Sequence, residues 1–433
     1  MQTDPTTGPP DAPADVIVIG AGLAGLAAAI DVRRAGRSVV LLDARRELGG
    51  RARTVDRDGF LLNEGAHALY RTGAAFAFLC REGLEPAGGE PASNRAVGVS
   101  LAEGLVAPLP AGLVSLLRTP LLRGERMGFG RMFAGLNRLD TAALDGVSVA
   151  DGVRALVGSG RGAAIVHALL RVATYGNDPA AMSAGAAVAQ LRDSLATPVR
   201  YVDGGWRTIV DGLRRRVVEL GATVLVGEKA RTVREVDDVV EVVTGDAVYR
   251  ASAVVIAAGG PRQVDAMTGI DPAPFARPST VAALDVGLGT PWGSGPTFAV
   301  GLDDPLYLSV HAPVADLAPT GGSLVSVMRY HRADETPDAD EDRQRCEHLL
   351  DRVRPRWRDD QRHATFRPRL LATHDQPQAE RSGLVGRAGV ALPGHARVSI
   401  AGDWVGPDGL LADATFASAA AAAVRAVDQV TAR

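Results

Sequence analysis

The sequence predicts an α/β fold in which a Rossmann-type βαβ unit is joined to an α+β domain built on an antiparallel sheet. Near the N-terminus, the apolar run 16–19 stops at a glycine-rich turn and helical spacing follows until Gly36. A second apolar run, 38–42, then ends in Asp43, which completes the order of a parallel βαβ unit. Residues 279–332 contain several short strand-like runs separated by proline and glycine, which favours an antiparallel sheet.

The turn after the first predicted strand has the pattern G-x-G-x-x-G over residues 20–25. In this pattern Gly20 permits the tight turn and Gly22 lets the backbone approach a pyrophosphate. Gly25 lets the following helix pack closely on the strand. Strand, turn and helix are all present in the required order, so the pattern predicts a dinucleotide site.

The residues that flank this turn supply the polar contacts of such a site. The helix begins at Leu23 and Ala24, where free amide groups and the positive end of the helix dipole face a phosphate. Asp43 ends the second strand, next to Ala44. An acid at this position accepts hydrogen bonds from an adenosine ribose, so these four residues are predicted to contact the cofactor.

Composition limits the classes of protein that the chain can belong to. A length of 433 residues suits two domains, and a net charge of −3 gives no general attraction to nucleic acid. Residues 1–13 are predicted to be a disordered tail rather than a signal peptide. Cys80 and Cys346 are isolated thiols without a metal-binding motif, which favours a cytoplasmic protein without a metal site.

The continuation at residues 49–54, Gly-Gly-Arg-Ala-Arg-Thr, resembles the GGR segment of the flavin amine oxidase and phytoene desaturase superfamily. In that superfamily the glycines and the arginine lie against the pyrophosphate of FAD. The resemblance therefore implies a glutathione reductase-like FAD-binding domain, with Gly50 and Arg51 at the cofactor. A guanidinium suits this role because its planar fork pairs with phosphate oxygens.

A second segment of the resemblance covers residues 60–70. It resembles the stretch that passes beside the isoalloxazine in the phytoene desaturase and retinol saturase branch. The resemblance implies that Gly65 and Ala66 lie next to the flavin and that His67 points into the substrate cavity as a catalytic candidate. A hydrogen-bonded structural histidine is the alternative.

Two further segments resemble the FAD-binding parts of the same superfamily. Residues 201–233 match the place where the chain returns to the FAD domain, which puts Ala230 at the adenine. Residues 398–404 match the second FAD signature and put Gly402 and Asp403 near the ribityl chain and pyrophosphate.

The resemblance also implies that the C-terminal helix points its N-terminus at the flavin. Its first residues, Leu411 and Ala412, are expected at the N1/O2 edge, where a helix dipole stabilises negative charge. An unpaired carboxylate there would oppose reduction of the flavin, so Asp413 is expected to point elsewhere.

Two other regions are candidates for contact with the substrate. Tyr307, Ser309 and His311 share one face of a predicted strand, and Tyr307 and His311 are catalytic candidates, although the sequence does not fix which face meets the cavity. Residues 105–138 are predicted to be helical pieces that mix apolar and basic side chains. They suit either peripheral contact with a membrane or an ordinary amphipathic helix.

The resemblance divides the chain into two interleaved domains. Residues 14–90, 200–265 and 395–433 are expected to form the FAD-binding domain. Residues 91–199 and 266–394 are expected to form the substrate-binding domain.

The function implied is that of an FAD-dependent dehydrogenase or desaturase with non-covalently bound FAD. It would take hydride from a small lipophilic or amine-bearing substrate, giving C=C or C=N, and pass electrons to a quinone, dioxygen or a redox protein. No second G-x-G-x-x-G stands in a βαβ context, which makes a separate NAD(P)H domain improbable. The alternatives are a flavin amine oxidase that uses dioxygen, a non-redox flavin isomerase or cyclase, and a non-catalytic prenyl- or lipid-binding relative.

Overall fold

Two seven-stranded sheets organise the chain in the computed structural model. The structure describes residues 13–110, 112–271 and 276–431, and all of the predicted tail except Pro13 lies outside these ranges. No helix of the described residues is both long enough and apolar enough to cross a membrane.

The strands and helices alternate irregularly along the chain. The strands are β1 Ala14–Ile19, β2 Val39–Asp43, β3 Val55–Arg57, β4 Phe60–Leu62, β5 Gly88–Gly89, β6 Ala96–Ser100, β7 Leu105–Pro108, β8 Tyr201–Val202, β9 Thr223–Val226, β10 Thr232–Val236, β11 Val239–Val243, β12 Val248–Ile256, β13 Ser279–Leu288, β14 Phe298–Gly301, β15 Leu306–Ala312, β16 Ser323–Tyr330, β17 Gln361–Thr373 and β18 Val398–Ile400. The helices are α1 Leu23–Arg34, α2 Ala74–Arg81, α3 Leu113–Arg118, α4 Arg126–Gly135, α5 Val149–Val157, α6 Arg161–Thr174, α7 Ala184–Ala196, α8 Arg207–Glu219, α9 Pro261–Thr268, α10 Ala339–Val353, α11 Trp357–Asp360 and α12 Leu411–Thr431.

The first sheet has the order β10-β11-β12-β1-β2-β9, and β18 also pairs with β12. Strands β9, β2, β1, β12 and β18 are parallel. The predicted βαβ unit is present as β1, α1 and β2. Helix α1 buries Leu26, Ala27 and Ile30 completely, in one apolar cluster with α8 and α12. Because the strands are parallel, their carboxyl ends meet at one edge, where ligands bind in open α/β sheets.

Strand β12 belongs to two parts of this sheet with different pairing, and it continues without a break from Val248 to Ile256. Its first half pairs antiparallel with β11, and its second half pairs parallel with β1, from Ala14 opposite Ala251 to Ile19 opposite Ile256. Burial alternates in the first half and is continuous in the second, because the strand passes from a one-sided hairpin into the covered interior of the sheet.

The second sheet has the order β17-β13-β16-β15-β14-β6-β7. The predicted run of antiparallel strands in residues 279–332 is confirmed as β13 to β16. Its outer strands β6, β7 and β17 were not predicted. Strand β17 is only partly buried and contains Pro368, so it lacks the apolar alternation that identifies a half-buried strand. Residues 105–108 form β7, so the stretch 105–138 begins with a strand rather than a helix.

Helices cover the two faces of the second sheet differently. On the outer face, Leu306, Leu308 and Val310 pack against Leu349 and Leu350 of α10. On the inner face, the sheet packs against α4 to α7, and Tyr307 belongs to this inner cluster. The strands of the first sheet come from residues 14–43, 223–256 and 398–400, and those of the second from 96–108 and 279–373. The predicted domain boundaries stay a prediction.

Candidate functional site

A cavity of about 960 Å³ lies between the carboxyl edge of the first sheet and the inner face of the second. Asp43, Lys229 and Ala230 line one end, and Val281 and Met328 line the other. The volume is at the upper end of the usual range for ligand pockets, about 300–1,000 Å³. Every residue that was predicted to contact the cofactor lines this cavity, with the exception of Gly25.

The three glycines of the first turn have different roles. Gly20 has φ +99°, and a Cβ on it would come within 2.8 Å of the Ala257 carbonyl oxygen. A Cβ on Gly25 would overlap the carbonyl oxygen of Gly20, so this glycine is needed for the packing of α1 on β1. A Cβ on Gly22 would meet only the Gly49 oxygen, at 3.9 Å. Gly22 therefore keeps space free in the cavity, whereas Gly20 and Gly25 serve the fold.

Asp43 closes this end of the cavity. One carboxylate oxygen accepts a hydrogen bond from the Ala21 amide at 2.6 Å, and the other accepts one from the Arg45 amide at 2.7 Å. A carboxylate has about four acceptor positions, so Asp43 retains the capacity to bind hydroxyl groups. The first-turn amides of α1, at Leu23 and Ala24, face the same cavity without an intrahelical partner. An open glycine, free amides and a carboxylate together fit the ribose and pyrophosphate of FAD.

Arg51, Asp403 and His374 form a hydrogen-bonded cluster on the cavity wall. Asp403 is buried and accepts from Arg51 Nη1 at 2.9 Å and Nη2 at 2.7 Å. It also accepts from His374 Nδ1 at 2.8 Å, the His374 amide at 3.0 Å and the Thr373 hydroxyl at 2.9 Å. Burial raises the pKa of Asp403, but Arg51 and His374 hold it well below its ordinary value.

This cluster changes the expected roles of its members. Five donors occupy the Asp403 carboxylate, so its main effect is to fix Arg51 and His374 at the cavity wall. His374 lines the cavity and was not identified from the sequence. The sequence gives no motif that would identify His374, because strand β17 before it was not predicted. Only the contact with Asp403 in the folded structure marks it as a residue of the site.

His67 lies in the cavity and also makes the backbone hydrogen bond of a structural histidine. Its Nδ1 is 3.2 Å from the Gly65 carbonyl oxygen, which only accepts, so Nδ1 carries the hydrogen. The ring packs edge-on against Trp206, with 5.0 Å between centroids. Burial lowers the pKa of His67 below its ordinary value of 6.5, so the imidazole is neutral at neutral pH.

Gly65, two residues before His67, is required by its surroundings. Its φ is +102°, and a Cβ on it would lie 2.9 Å from a methyl carbon of Leu370. This supports the expectation that the segment around Gly65 approaches the cavity through its backbone.

Three residues other than glycine that line the cavity have left-handed backbones. Glu64, Tyr175 and Leu411 each have φ +56°. Such a conformation costs about 1–3 kcal/mol and concentrates at ligand-binding sites. Tyr175 is held by a hydrogen bond from its hydroxyl to the Ala66 carbonyl oxygen at 2.7 Å, and Glu64 is paired with Arg53 at 3.0 Å.

The start of α12 meets the cavity through Leu411, Ala412 and Thr415. Asp413 points away, as expected, and accepts a hydrogen bond from the Ala75 amide at 2.9 Å in the first turn of α2. Burial raises the pKa of Asp413 to about 6. The helix start therefore presents no carboxylate to the cavity.

The structure does not bring Tyr307 and His311 to the cavity, so their proposed catalytic roles gain no support. Both side chains lie on the inner face of β15, but one layer behind the cavity wall. His311 stacks on Tyr201 with 4.1 Å between centroids, and its Nε2 is 2.8 Å from the Ser309 hydroxyl. Burial lowers the pKa of His311 to about 3. Tyr307, Ser309 and His311 share one face of the strand, as alternation predicted, but other side chains separate this face from the cavity.

The end of the cavity near His67 is aromatic and apolar. Its walls include Tyr70, Tyr175, Trp206, Met328 and Leu370. Four acidic side chains line the cavity among the described residues. Asp43, Glu64 and Asp403 have the hydrogen-bond or ion-pair partners described above. The fourth is Glu228. Lys229 and Glu228 lie at the opposite end, with Ala230.

The described site includes neither a cluster of metal-binding side chains nor a cysteine. No group of three or more potential ligands could hold a metal ion among the described residues. Cys80 is exposed on α2 and Cys346 is buried on α10, and neither lines the cavity.

The chain was compared with known proteins. The family model for flavin containing amine oxidoreductase matches residues 23–430. Coproporphyrinogen III oxidase of Propionibacterium freudenreichii subsp. freudenreichii is 33% identical over 114 residues, which are 26% of this chain and 21% of that protein. A probable zeta-carotene desaturase of Synechococcus elongatus is 45% identical over 56 residues, 13% of this chain and 12% of that protein. The matches thus span about a fifth or less of the length of these curated relatives.

Among solved structures, wild-type putrescine oxidase bound to putrescine is similar, with a TM-score of 0.70 and 18% identity. The alignment covers 98% of this chain and 100% of that chain. At this level of identity, the likeness concerns the fold alone.

Proposed function

This chain belongs to the flavin containing amine oxidoreductase family and is an FAD-dependent oxidoreductase, and from that premise we propose that it is a dehydrogenase or desaturase. It removes hydride from a mostly apolar organic substrate and forms a C=C or C=N bond. FAD, when bound, supplies the hydride acceptor. The protein contributes the binding, the orientation and the exclusion of water.

The apolar end of the cavity is the observation that carries this proposal. Tyr70, Tyr175, Trp206, Met328 and Leu370 surround it, and His67 there is neutral. An ionised group entering this end would lose its hydration without gaining an ion-pair partner from the walls just named, which is costly. The part of the substrate that reacts is therefore uncharged.

The cofactor site is proposed at the other end. Asp43 binds the adenosine ribose, the amides of Leu23 and Ala24 face the pyrophosphate, and Gly22 leaves the space for it. Ala230 borders the adenine, and the N-terminus of α12 faces the flavin.

The FAD is held without a cysteinyl link, since neither Cys80 nor Cys346 lines the cavity. Heat or acid should therefore release the flavin into the supernatant. Yellow colour that stays with the precipitated protein would contradict non-covalent binding.

A second candidate is a flavin amine oxidase that uses dioxygen. The fold likeness to putrescine oxidase suggests it, and the aromatic side chains Tyr70, Tyr175 and Trp206 offer surfaces on which an amine can pack. The apolar character of the chamber favours a neutral amine or a hydrocarbon over a diamine with two charges.

Anaerobic bleaching of the flavin separates these candidates. The purified holoenzyme is mixed with matched pairs of compounds, each pair an apolar cyclic or unsaturated donor and its primary-amine analogue, and the products are identified by mass spectrometry. Bleaching by the apolar member with loss of two hydrogens supports the proposal. Bleaching only by charged amines favours the amine oxidase, and isomerised product without bleaching overturns an oxidative function.

A peripheral membrane contact is proposed for the surface formed by α3 and α4. Val114, Leu117 and Met127 are 62%, 59% and 77% exposed on these two helices, which pack against each other. Arg118, Arg123 and Arg131 are exposed nearby. Apolar and basic side chains together suit an anionic lipid interface, through which a lipophilic substrate enters.

Co-sedimentation with vesicles tests this contact. The protein should pellet with vesicles that contain phosphatidylserine, and the variant Leu117→Gln/Met127→Gln should not. Val385→Gln is the matched control, because Val385 is 73% exposed elsewhere on the surface. Equal pelleting of all three proteins would contradict the proposed contact.

A further inference from the structure

A second cavity, of about 510 Å³, lies beside the first on the far side of residues 175–176. Tyr175 lines the first cavity and Gly176 lines the second. Its walls come from α5, α6 and the turn between β14 and β15. The function described above uses none of these walls.

Arg171, on α6, is the unusual group in this cavity. Its Nε donates to the Asn177 side-chain oxygen at 3.0 Å, while its Nη1 is buried without a hydrogen-bond partner. Within the described residues, Arg171 forms no ion pair with a carboxylate. Burial lowers the pKa of Arg171. A buried guanidinium nitrogen without a hydrogen-bond partner is costly, and Asp304 acts on Arg171 only at longer range, so this arrangement calls for an explanation.

Arg387 provides a comparison within the same molecule. Its Nη2 is the other terminal guanidinium nitrogen that is buried without a partner in the described part of the chain. However, Arg387 donates through Nε to the Asp375 carboxylate at 3.1 Å, so its charge is compensated. Arg171 differs because it lies at a cavity and lacks a carboxylate.

The other charged side chains of the second cavity already have partners. These are Arg154 with Asp151 at 3.1 Å, Arg332 with Asp334 at 2.8 Å, Asp304 with Arg345 at 2.7 Å, and Asp303 with the Ser100 hydroxyl at 2.8 Å. His167 lies one turn before Arg171, and burial lowers its pKa, so it is neutral at neutral pH. Arg171 is therefore the arginine of this cavity that has no carboxylate of the described residues within ion-pair distance, and Asp304 acts on it only at longer range.

The rest of the lining is largely apolar. Val149, Ala163, Leu170, Pro179, Met182 and Leu302 supply this surface. We propose that the second cavity binds a small monocarboxylic acid with an apolar body, whose carboxylate pairs with the Arg171 guanidinium. One cation matches one negative charge, and the planar fork of arginine matches a carboxylate. The proposal concerns a site apart from the cofactor cavity and does not rest on the proposed function.

Titration of the FAD-loaded protein with hexanoate tests this site. Hexan-1-ol has a similar apolar body without the charge, and phosphate has charge without the apolar body. We expect hexanoate alone to give saturable heat in calorimetry and a rise in the unfolding midpoint at constant ionic strength. The flavin absorption spectrum should not change, because the acid binds outside the cofactor cavity. Equal effects of the alcohol or of phosphate, or a hexanoate-induced change in the flavin spectrum, would overturn the proposal.

Two variants connect the binding to Arg171. Arg171→Met should weaken hexanoate binding by about ten- to a hundredfold, the effect of losing a hydrogen bond to a charged group. Arg154→Met is the matched control, since Arg154 is exposed on the same cavity and paired with Asp151, and it should bind hexanoate normally. If Arg171→Met does not fold, Arg171→Lys keeps the charge without the fork and should show intermediate affinity. If the Arg171 variant that folds binds hexanoate with the affinity of the wild type, Arg171 does not bind the carboxylate.

Discussion

Arg51 and Asp403 are 352 residues apart in the sequence and form a two-point ion pair on the wall of the larger cavity. Nη2 of Arg51 lies 2.7 Å from Oδ1 of Asp403, and Nη1 lies 2.9 Å from Oδ2. The pair joins the segment after β2 to the segment after β18. We therefore expect the pair to connect the binding of FAD to the stability of the fold.

Arg51→Ala should lower both FAD content and stability. The change leaves the buried Asp403 carboxylate with His374 and Thr373 only, and loss of hydrogen bonds to a charged group costs about 1.5–3 kcal/mol. The ratio of flavin to protein absorbance and a denaturant titration measure the two effects. Arg262→Ala is the control, because Arg262 is exposed on the same cavity. Full FAD occupancy with an unchanged unfolding midpoint would show that the pair has neither role.

Gly22→Val should lose FAD binding, whereas Gly25→Ala should lose stability. Gly22 has φ −78°, which any residue adopts, and a side chain there would enter the open cavity. Gly22→Val should therefore fold and purify without FAD. In Gly25→Ala the new Cβ would overlap the Gly20 carbonyl oxygen, so this variant should be unstable even as apoprotein. Circular dichroism melting and flavin content distinguish the two outcomes, and a yellow Gly22→Val protein would contradict the assignment of the pyrophosphate.

Asp413→Asn should stabilise the protein above about pH 6. The folded protein holds the proton of Asp413 to about pH 6, whereas the unfolded chain releases it near 3.8. The contribution of Asp413 to the free energy of unfolding is therefore highest below pH 3.8 and falls as the pH rises toward 6. The asparagine avoids this loss, which amounts to at most about 3 kcal/mol.

Denaturant unfolding of wild type and Asp413→Asn across pH 4 to 8 measures this difference. Asp428→Asn, at an exposed position on the same helix, is the control. A stability gain that does not depend on pH would mean that burial of the Asp413 charge is not its cause.

His311→Gln should make the stability of the folded protein less sensitive to acid and should leave the enzymatic activity unchanged. The unfolded chain binds a proton at His311 near pH 6.5, but the folded protein only near pH 3. The stability from neutral His311 is complete above pH 6.5 and is lost as the pH falls toward 3, by up to about 5 kcal/mol.

Acid unfolding of His311→Gln should therefore be less steep than that of the wild type. His348→Gln, at an exposed position on α10, should behave as wild type. If His311→Gln abolished turnover of a folded, FAD-loaded enzyme, His311 would have a catalytic role after all.

Reoxidation of the photoreduced enzyme by air should be slow and should not depend on pH between 7 and 8. A compact ammonium group at the flavin helps electrons pass to dioxygen, and an arginine does not easily replace it. Lys229, the single lysine of the sequence, lies at the Asp43 end, and His67 is neutral at neutral pH. A quinone should react faster. Stopped-flow mixing measures these rates.

A gain of function tests the same argument. Leu370→Lys places an ammonium group beside Gly65 and should speed the reaction with oxygen, whereas Leu370→Met should not. Fast reoxidation of the wild type would favour the amine oxidase candidate.

The sequence by itself determined the end of the larger cavity that the βαβ unit forms. This end is formed by strand ends, helix amides and a backbone turn that lie close together in the sequence. They include Gly20, Gly22, Asp43 and the start of α1. Local patterns of this kind are fixed by the βαβ geometry, so each residue lies where the pattern places it. The C-terminal helix was predicted from the family resemblance, and its start lines the same cavity.

Only the tertiary structure decided which distant side chains meet. It brought His374 to Asp403, covered His311 with Tyr201, and left Nη1 of Arg171 without a hydrogen-bond partner. No spacing of residues in the sequence predicts these contacts, because each depends on how the two sheets and their helices pack. Burial then set the charge states of Asp413 and His67, since desolvation acts through all neighbours in space rather than through neighbours in the chain.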